Sequence, residues 1–258
     1  PVDVNVGPDG AIYVVDWYNS ITCHQDDAYR DPRRDKAHGR IWRISSKRQP
    51  IRPPKLLDAP LRQVFDSLKA PDSWTRGQAR RELSNRFTPA LLEDQLPYME
   101  KWALSLDDPA EEGSERHLME ALLACSTIEM VSGDLLRRVA RSELPGARAL
   151  AARITGRWAG RIKEPLELLT VLARDENPRV RMEAVLAAGQ IPQMDSIQVV
   201  AMASEREMDR SIEYAFTQAI HHLKPHWEEP FEKGRLTFSK LSHVAAVLSR
   251  AGSKNMVG

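Results

Sequence analysis

The chain has 258 residues, with 37 Lys+Arg against 36 Asp+Glu and a formal net charge of +1. That balance argues against a dedicated nucleic-acid binder, which carries a strong basic excess. Hydrophobic residues at 42% and charged residues at 28% exclude disorder throughout, and there is no apolar run long enough to cross a membrane. The two cysteines, Cys23 and Cys125, form no CxxC pair and no disulfide framework.

Val2, Val4 and Val6 alternate with Asp3 and Asn5, the period-two pattern of a half-buried strand. Gly7-Pro8-Asp9-Gly10 follows with turn chemistry. Ala11 to Val15 is β-branched and aromatic and reads as the second strand of a hairpin. A third strand is expected over Arg40–Ser45, with Ile41 and Arg43 on one face and Trp42 and Ile44 on the other. Three strands do not bury two sheet faces alone. No further strands are expected downstream, so we expect a truncated sheet, the end of something larger.

Between the second and third strands lies a polar loop, Asp16 to Gly39, too long for a simple connector. Asp16 leaves the strand beside Trp17 and Tyr18, placed either to offer a carboxylate to a pocket or to close its own turn. His24 and His38 share the loop with several aspartates and suit acid–base, hydroxyl-binding or purely structural roles. From Arg30 to Lys55 there are 10 Lys+Arg against Asp31 and Asp35 alone. This Pro-rich stretch, residues 46–60, reads as a solvated linker, or as a patch for an acidic or phosphate-bearing partner.

From Leu61 the apolar period becomes helical. Leu61, Val64, Phe65 and Leu68 mark one amphipathic helix, and Asp72-Ser73 caps the next. Further helices are expected at Leu91–Leu104, Glu115–Cys125, Gly133–Ser142, Gly146–Trp158, Pro165–Arg174, Pro178–Ala188, Ser196–Ser204, Arg210–Lys224 and Ser239–Arg250. The clearest unit runs from Glu164 through a turn ending Asn177-Pro178 into a helix carrying V-R-x-x-A. It resembles a HEAT repeat, with Asn177 as cap and Pro178 at the first helical position. Small residues recur at Ala79, Ala121, Ala151, Ala184 and Ala215, a drifting spacing that suits an irregular solenoid of helical pairs. Trp74, Trp102, Trp158 and Trp227 are expected in the core or in the packing between repeats. His221, His222 and His226 resemble a metal cluster, but Pro225 is expected to interrupt their helix and no HExxH pattern completes it, so no metal site is expected.

Three stretches carry a wider resemblance: PVDVNVGPDGAIYVVDWYNSI, then His24, then YRDPRRDKAHGRIWRI. They resemble the closing blade of the β-propeller in the planctomycete and verrucomicrobial membrane-bound dehydrogenase-domain proteins, which are similar to quinoprotein glucose/sorbosone dehydrogenases. PDSWTRGQARREL, DRSIEYAFTQAIHHLKPHW and GRLTFSKLSHVAAVLSRAG resemble that family's HEAT region. The resemblance implies a mainly α fold: a propeller-blade remnant at 1–45, a linker at 46–60 and HEAT-like repeats at 61–258. It implies a periplasmic or cell-surface fragment whose array spaces a sugar- or alcohol-oxidising propeller from a c-type cytochrome module. No cofactor is expected within this chain; a pyrroloquinoline quinone-type cofactor and a CxxCH-bound haem belong to the longer parent. Its partners would be the missing blades and the cytochrome module of the same protein, and a protein on the helical surface. Asp16, Asn19, His24, Arg30, Asp31, Arg33, Asp35 and His38 are the family's recurrent loop residues and are carried as candidate ligand-binding positions, with no catalytic role assigned. The fragment alone is expected to be inactive. The alternative is a non-catalytic interaction module, or one that binds glycans without oxidising them.

Overall fold

Strand β1 (Asp3–Val6) turns back into β2 (Ile12–Asp16) because Gly7 to Gly10 closes tightly. The Gly7 amide donates to the Ala11 carbonyl at 2.8 Å, and Gly10 takes a φ of 72°, which glycine adopts without strain. The Asp9 carboxylate accepts from the Ala11 amide at 3.1 Å and completes the turn. β3 (Arg40–Ile44) pairs antiparallel with β2, giving a three-stranded sheet in the order β1-β2-β3. The computed structural model describes residues 2–18, 31–47, 52–87 and 89–252. The register places Val4, Val14 and Trp42 in one row and Val6, Ile12 and Ile44 in the next, so one face is almost wholly apolar. Most of that face is solvent-exposed, Ile44 at 57% and Val4 at 59%.

The chain divides into two compact units, Pro1–Arg86 and Phe87–Gly258. The first also holds α1 (Leu61–Ser67) and α2 (Ser73–Arg86). Asp72 caps α2, accepting from the Thr75 amide at 2.7 Å. The end of the expected solvated linker is fastened rather than free: Leu56 and Ala59 are buried, and Arg86 donates to both of their carbonyls.

The second unit is helical throughout its described elements: α3 (Pro89–Leu104), α4 (Ser114–Thr127), α5 (Gly133–Val139), α6 (Pro145–Trp158), α7 (Pro165–Leu172), α8 (Pro178–Gly189), α9 (Ser196–Met202), a short 3-10 turn (Ala203–Glu205), α10 (Arg210–Glu232) and α11 (Leu241–Ala251). Local chemistry sets the starts. Proline opens α6, α7 and α8, where its missing amide has no helical partner to lose. Asn177 accepts from the Arg179 amide at 3.0 Å, and Asp209 accepts from the Ser211 and Ile212 amides at 2.9 Å. Helices α4, α6, α8 and α10 pack in series as one layer, and α7, α9 and α11 line up behind them. Ala79 lies in the core of the first unit, and Ala121, Ala151, Ala184 and Ala215 in that of the second.

One expectation is corrected. α10 does not end at Lys224 but runs through Pro225 and Pro230 to Glu232. An interior proline costs about 3 kcal/mol, but continuing the helix seats Trp227 at zero exposure with its indole N–H on the Ile220 carbonyl at 3.1 Å. Losing so buried a ring costs roughly 3–5 kcal/mol, enough to carry the helix past Pro225, while Pro230 falls in its last turn. Trp158 is likewise fully buried, whereas Trp74 and Trp102 are only half-buried. Trp74 is the second residue of its helix, where one flank meets solvent.

Candidate functional site

Asp16 ends β2 opposite Arg40 of β3. Its carboxylate accepts the Trp42 indole N–H at 3.2 Å, and that bond holds its pKa below the ordinary value. The Arg40 guanidinium lies 3.9 Å from the Tyr18 ring centre and 4.7 Å from that of Trp42. Carboxylate, guanidinium and two rings therefore meet at one end of the sheet. Alternation along the strands explains why: residues 14, 16 and 42 share the face that 40 also points to.

The remaining loop residues pair locally. Arg33 forks onto Asp31 through Nε at 3.0 Å and Nη2 at 2.7 Å, and with the Arg33 amide it draws the Asp31 carboxyl down to about 2. Asp35 accepts from the Ala37 amide at 2.9 Å and from His38 Nδ1 at 2.9 Å, and both hold its pKa low. All three aspartates are thus shifted away from the range of a general acid or base at neutral pH. Asn19, His24 and Arg30 lie outside the described residues, as does Cys23. Asp9, which the sequence offered only as a turn residue, accepts from Arg43 Nε at 2.8 Å and from the Tyr13 hydroxyl at 3.3 Å.

In the helical unit, arginine–carboxylate pairs link successive elements. Arg138 reaches Asp107 at 2.7 Å and Glu115 at 2.5 Å. Arg148 forks onto Asp175 at 2.6 and 2.8 Å. Arg153 of α6 forks onto Glu183 of α8, and Arg157 and Arg161 share Glu129. Glu205 is held by Arg174, Lys240 and His243, whose Nε2 lies 3.0 Å from its Oε1. Burial of the Glu205 carboxyl opposes ionisation, but Arg174 and Lys240 outweigh it and bring the group to about 2. His243 is 1% exposed and His117 is also buried. Cys125 is fully buried, and desolvation pushes its thiol far up, so it is no nucleophile.

The layer α4-α6-α8-α10 keeps one face open. Helical spacing brings Arg116, Met119, Leu123 and Thr127 to it on α4, Leu150, Arg153 and Arg157 on α6, and Arg179, Met182 and Leu186 on α8 with Gln190 just past its end, none of them buried. The backbones approach closely along this layer. A Cβ at Gly156 would stand 2.9 Å from Cα and Cβ of Ala187, and one at Gly189 would stand 3.0 Å from Cβ of Ala219. The array is legible in the sequence but this face is not, because apolar spacing at i, i+3, i+4 and i+7 marks the buried stripe and nothing local separates this face from ordinary solvent-facing positions. Among the described residues no three His, Cys, Asp or Glu side chains stand together as metal ligands.

Residues 133–221 match the family profile described as HEAT repeats. Across that segment the structure is a run of packed helices. Residues 1–48 match a family described as a domain of unknown function, DUF7133. No curated protein matches the chain. Solved structures similar to it include a designed armadillo repeat protein, 15% identical with a TM-score of 0.44, covering 74% of this chain and 98% of that one. An engineered protein from a structural genomics consortium is likewise 15% identical with a TM-score of 0.44, covering 75% of this chain and 97% of that one.

Proposed function

We propose that this chain is a protein-interaction scaffold whose working surface is the open face of the helical layer. The observation that carries the reading is the run of helical pairs over 133–221: adjacent helices pack through glycine and alanine and leave a broad, unburied side-chain surface. Stacked repeats bury their core between neighbours and present such surfaces to partners. Site-specific photo-crosslinking in the source cell tests it. A benzophenone at Gln190 should give discrete protein adducts, whereas one at Lys163, in the turn between α6 and α7, should not. Adducts from neither position, or equal adducts from both, would sink the reading.

A second, finer reading sets this scaffold within a dehydrogenase-like protein at the cell surface or in the periplasm. What supports it is the order of segments, a small antiparallel sheet that matches DUF7133 followed by HEAT repeats, together with the exposed apolar face of that sheet. In that reading the sheet packs against further blades of a propeller that oxidises a sugar or alcohol, and the array spaces it from a c-type haem module. The quinone-type cofactor and the haem would be held by those other parts. Asp16, Arg40, Tyr18 and Trp42 would sit where sheet and loop meet and contribute hydrogen bonds and ring surface to a ligand. A parent protein that transfers no electrons from any aldose or alcohol to an acceptor would remove this reading and leave the scaffold.

A further inference from the structure

We infer that the open face of α6 and α8 takes an acidic protein segment bearing large apolar side chains; this rests on the scaffold reading and adds the chemistry of the partner. Leu150 and Met182, both half-buried, and Leu186, 39% exposed, are the large apolar side chains that helical spacing brings to this face. Arg153, Arg157 and Arg179 share it. The carboxylates nearby are already committed. Glu183 is buried and bonded to Arg153, and Glu129 is divided between Arg157 and Arg161. Arg179 has no acidic partner among the described residues. These pairings leave Arg179 and the excess of Arg157 and Arg161 over the single Glu129 as net positive charge beside the apolar side chains, and no exposed acid of α6 or α8 lies there.

Charge and chemistry together select the occupant. Arginine forks recognise carboxylates in planar, bidentate fashion, and methionine adapts to varied apolar shapes. A nucleic acid would satisfy the arginines but would leave the methionine and leucines unused, so an acidic amphipathic protein segment fits better. The pocket behind this layer differs. It is a cavity of about 220 Å³ in which Arg137, Arg141 and Lys163 are mixed with Glu164 and Glu167, so it offers no single sign of charge.

The test uses the full chain and four fluorescent probes in an anisotropy titration at low and high salt. The probes are a peptide alternating Glu with Leu and Phe, its Lys-for-Glu counterpart, a Glu-Ser-Gly peptide of equal length, and a single-stranded oligonucleotide. The Glu/Leu/Phe peptide should bind about tenfold or more tightly over each of the others and weaken with salt. Arg179→Glu and Leu186→Ser should each cost about tenfold, while Arg141→Glu, in the turn after α5 beside the cavity, should cost nothing. If Leu186→Ser lowers the melting temperature, Met182→Gln replaces it; Arg179 is exposed, so its reversal leaves the core intact. Equal binding of the Lys peptide, equal or tighter binding of the oligonucleotide, an equal loss in Arg141→Glu, or no binding of any peptide overturns the inference. Adducts from Gln190 with no preference for the acidic peptide would leave the scaffold standing and the acidic partner refuted. Absence of adducts would strike the scaffold itself.

Discussion

Arg148 shows how much one side chain carries here. It forks onto Asp175, and its Nη1 also donates to the Ser142 and Glu143 carbonyls at 2.9 and 3.2 Å. Asp175 in turn accepts the Asn177 amide at 2.8 Å, so the pair fixes the turn that starts α8. Both partners are largely buried, at 13% and 10% side-chain exposure. Removing one half of such a pair leaves an uncompensated charge and costs roughly 3–5 kcal/mol. Arg148→Met should therefore lose about 3 kcal/mol in urea unfolding, and Arg148→Met combined with Asp175→Asn should recover part of it. Glu205 governs the acid response at the other end of the array. Its folded pKa of about 2 lies below the ordinary 4.5, so its stabilising contribution is fully present above pH 4.5 and is lost as pH falls towards 2. The wild-type melting temperature should fall through that window, and Glu205→Gln should be less stable at neutral pH with a shallower fall. Equal slopes for the two proteins would contradict this.

At the level of elements, the tightest joint is the α6–α8 contact at Gly156. Any side chain there meets the Ala187 backbone, which has no flexible end to move aside. Gly156→Val should destabilise the chain by about 1–3 kcal/mol through overpacking, visible as a lower denaturation midpoint. Gly156→Ala should do less, since helix propensity favours alanine by roughly 1 kcal/mol. α10 depends on its cap as well as on Trp227. Asp209 satisfies two amides of the first turn, and Asp209→Ala should cost about 1 kcal/mol. That loss should appear as faster hydrogen exchange confined to the first turn of the helix.

At the scale of the whole molecule, the two compact units have different needs. Residues 87–258 hold their core within themselves, from Leu118 and Leu122 through Trp158 to Phe216 and Trp227. Expressed alone, they should keep a helical circular dichroism spectrum and unfold cooperatively; a broad, sloping melt would contradict this. The sheet has no such autonomy on its apolar face, where Val4, Val6, Ile12, Trp42 and Ile44 remain exposed. A dye that reports exposed apolar surface should bind the whole chain well above its binding to residues 87–258.

Much of the local architecture was legible from residue order because it rests on short-range chemistry. Gly7 to Gly10 makes a turn, Asn177-Pro178 starts a helix and alternating valines make a strand, whatever surrounds them. The small residues of the repeat also read correctly, since close helix packing demands them at regular intervals. Of the candidate loop residues, the strand alternation that brings Asp16 towards Trp42 was implicit in the sequence, while the pairing of Asp31 with Arg33 and of Asp35 with His38 was not foreseen. Long-range choices were settled by tertiary structure alone. Which carboxylate each arginine meets depends on stacking between helices about thirty residues apart, as Arg153 and Glu183 show. Whether α10 survives Pro225 depends on the burial of Trp227. That Arg179 has no acidic partner among the described residues follows from where the other pairings fall.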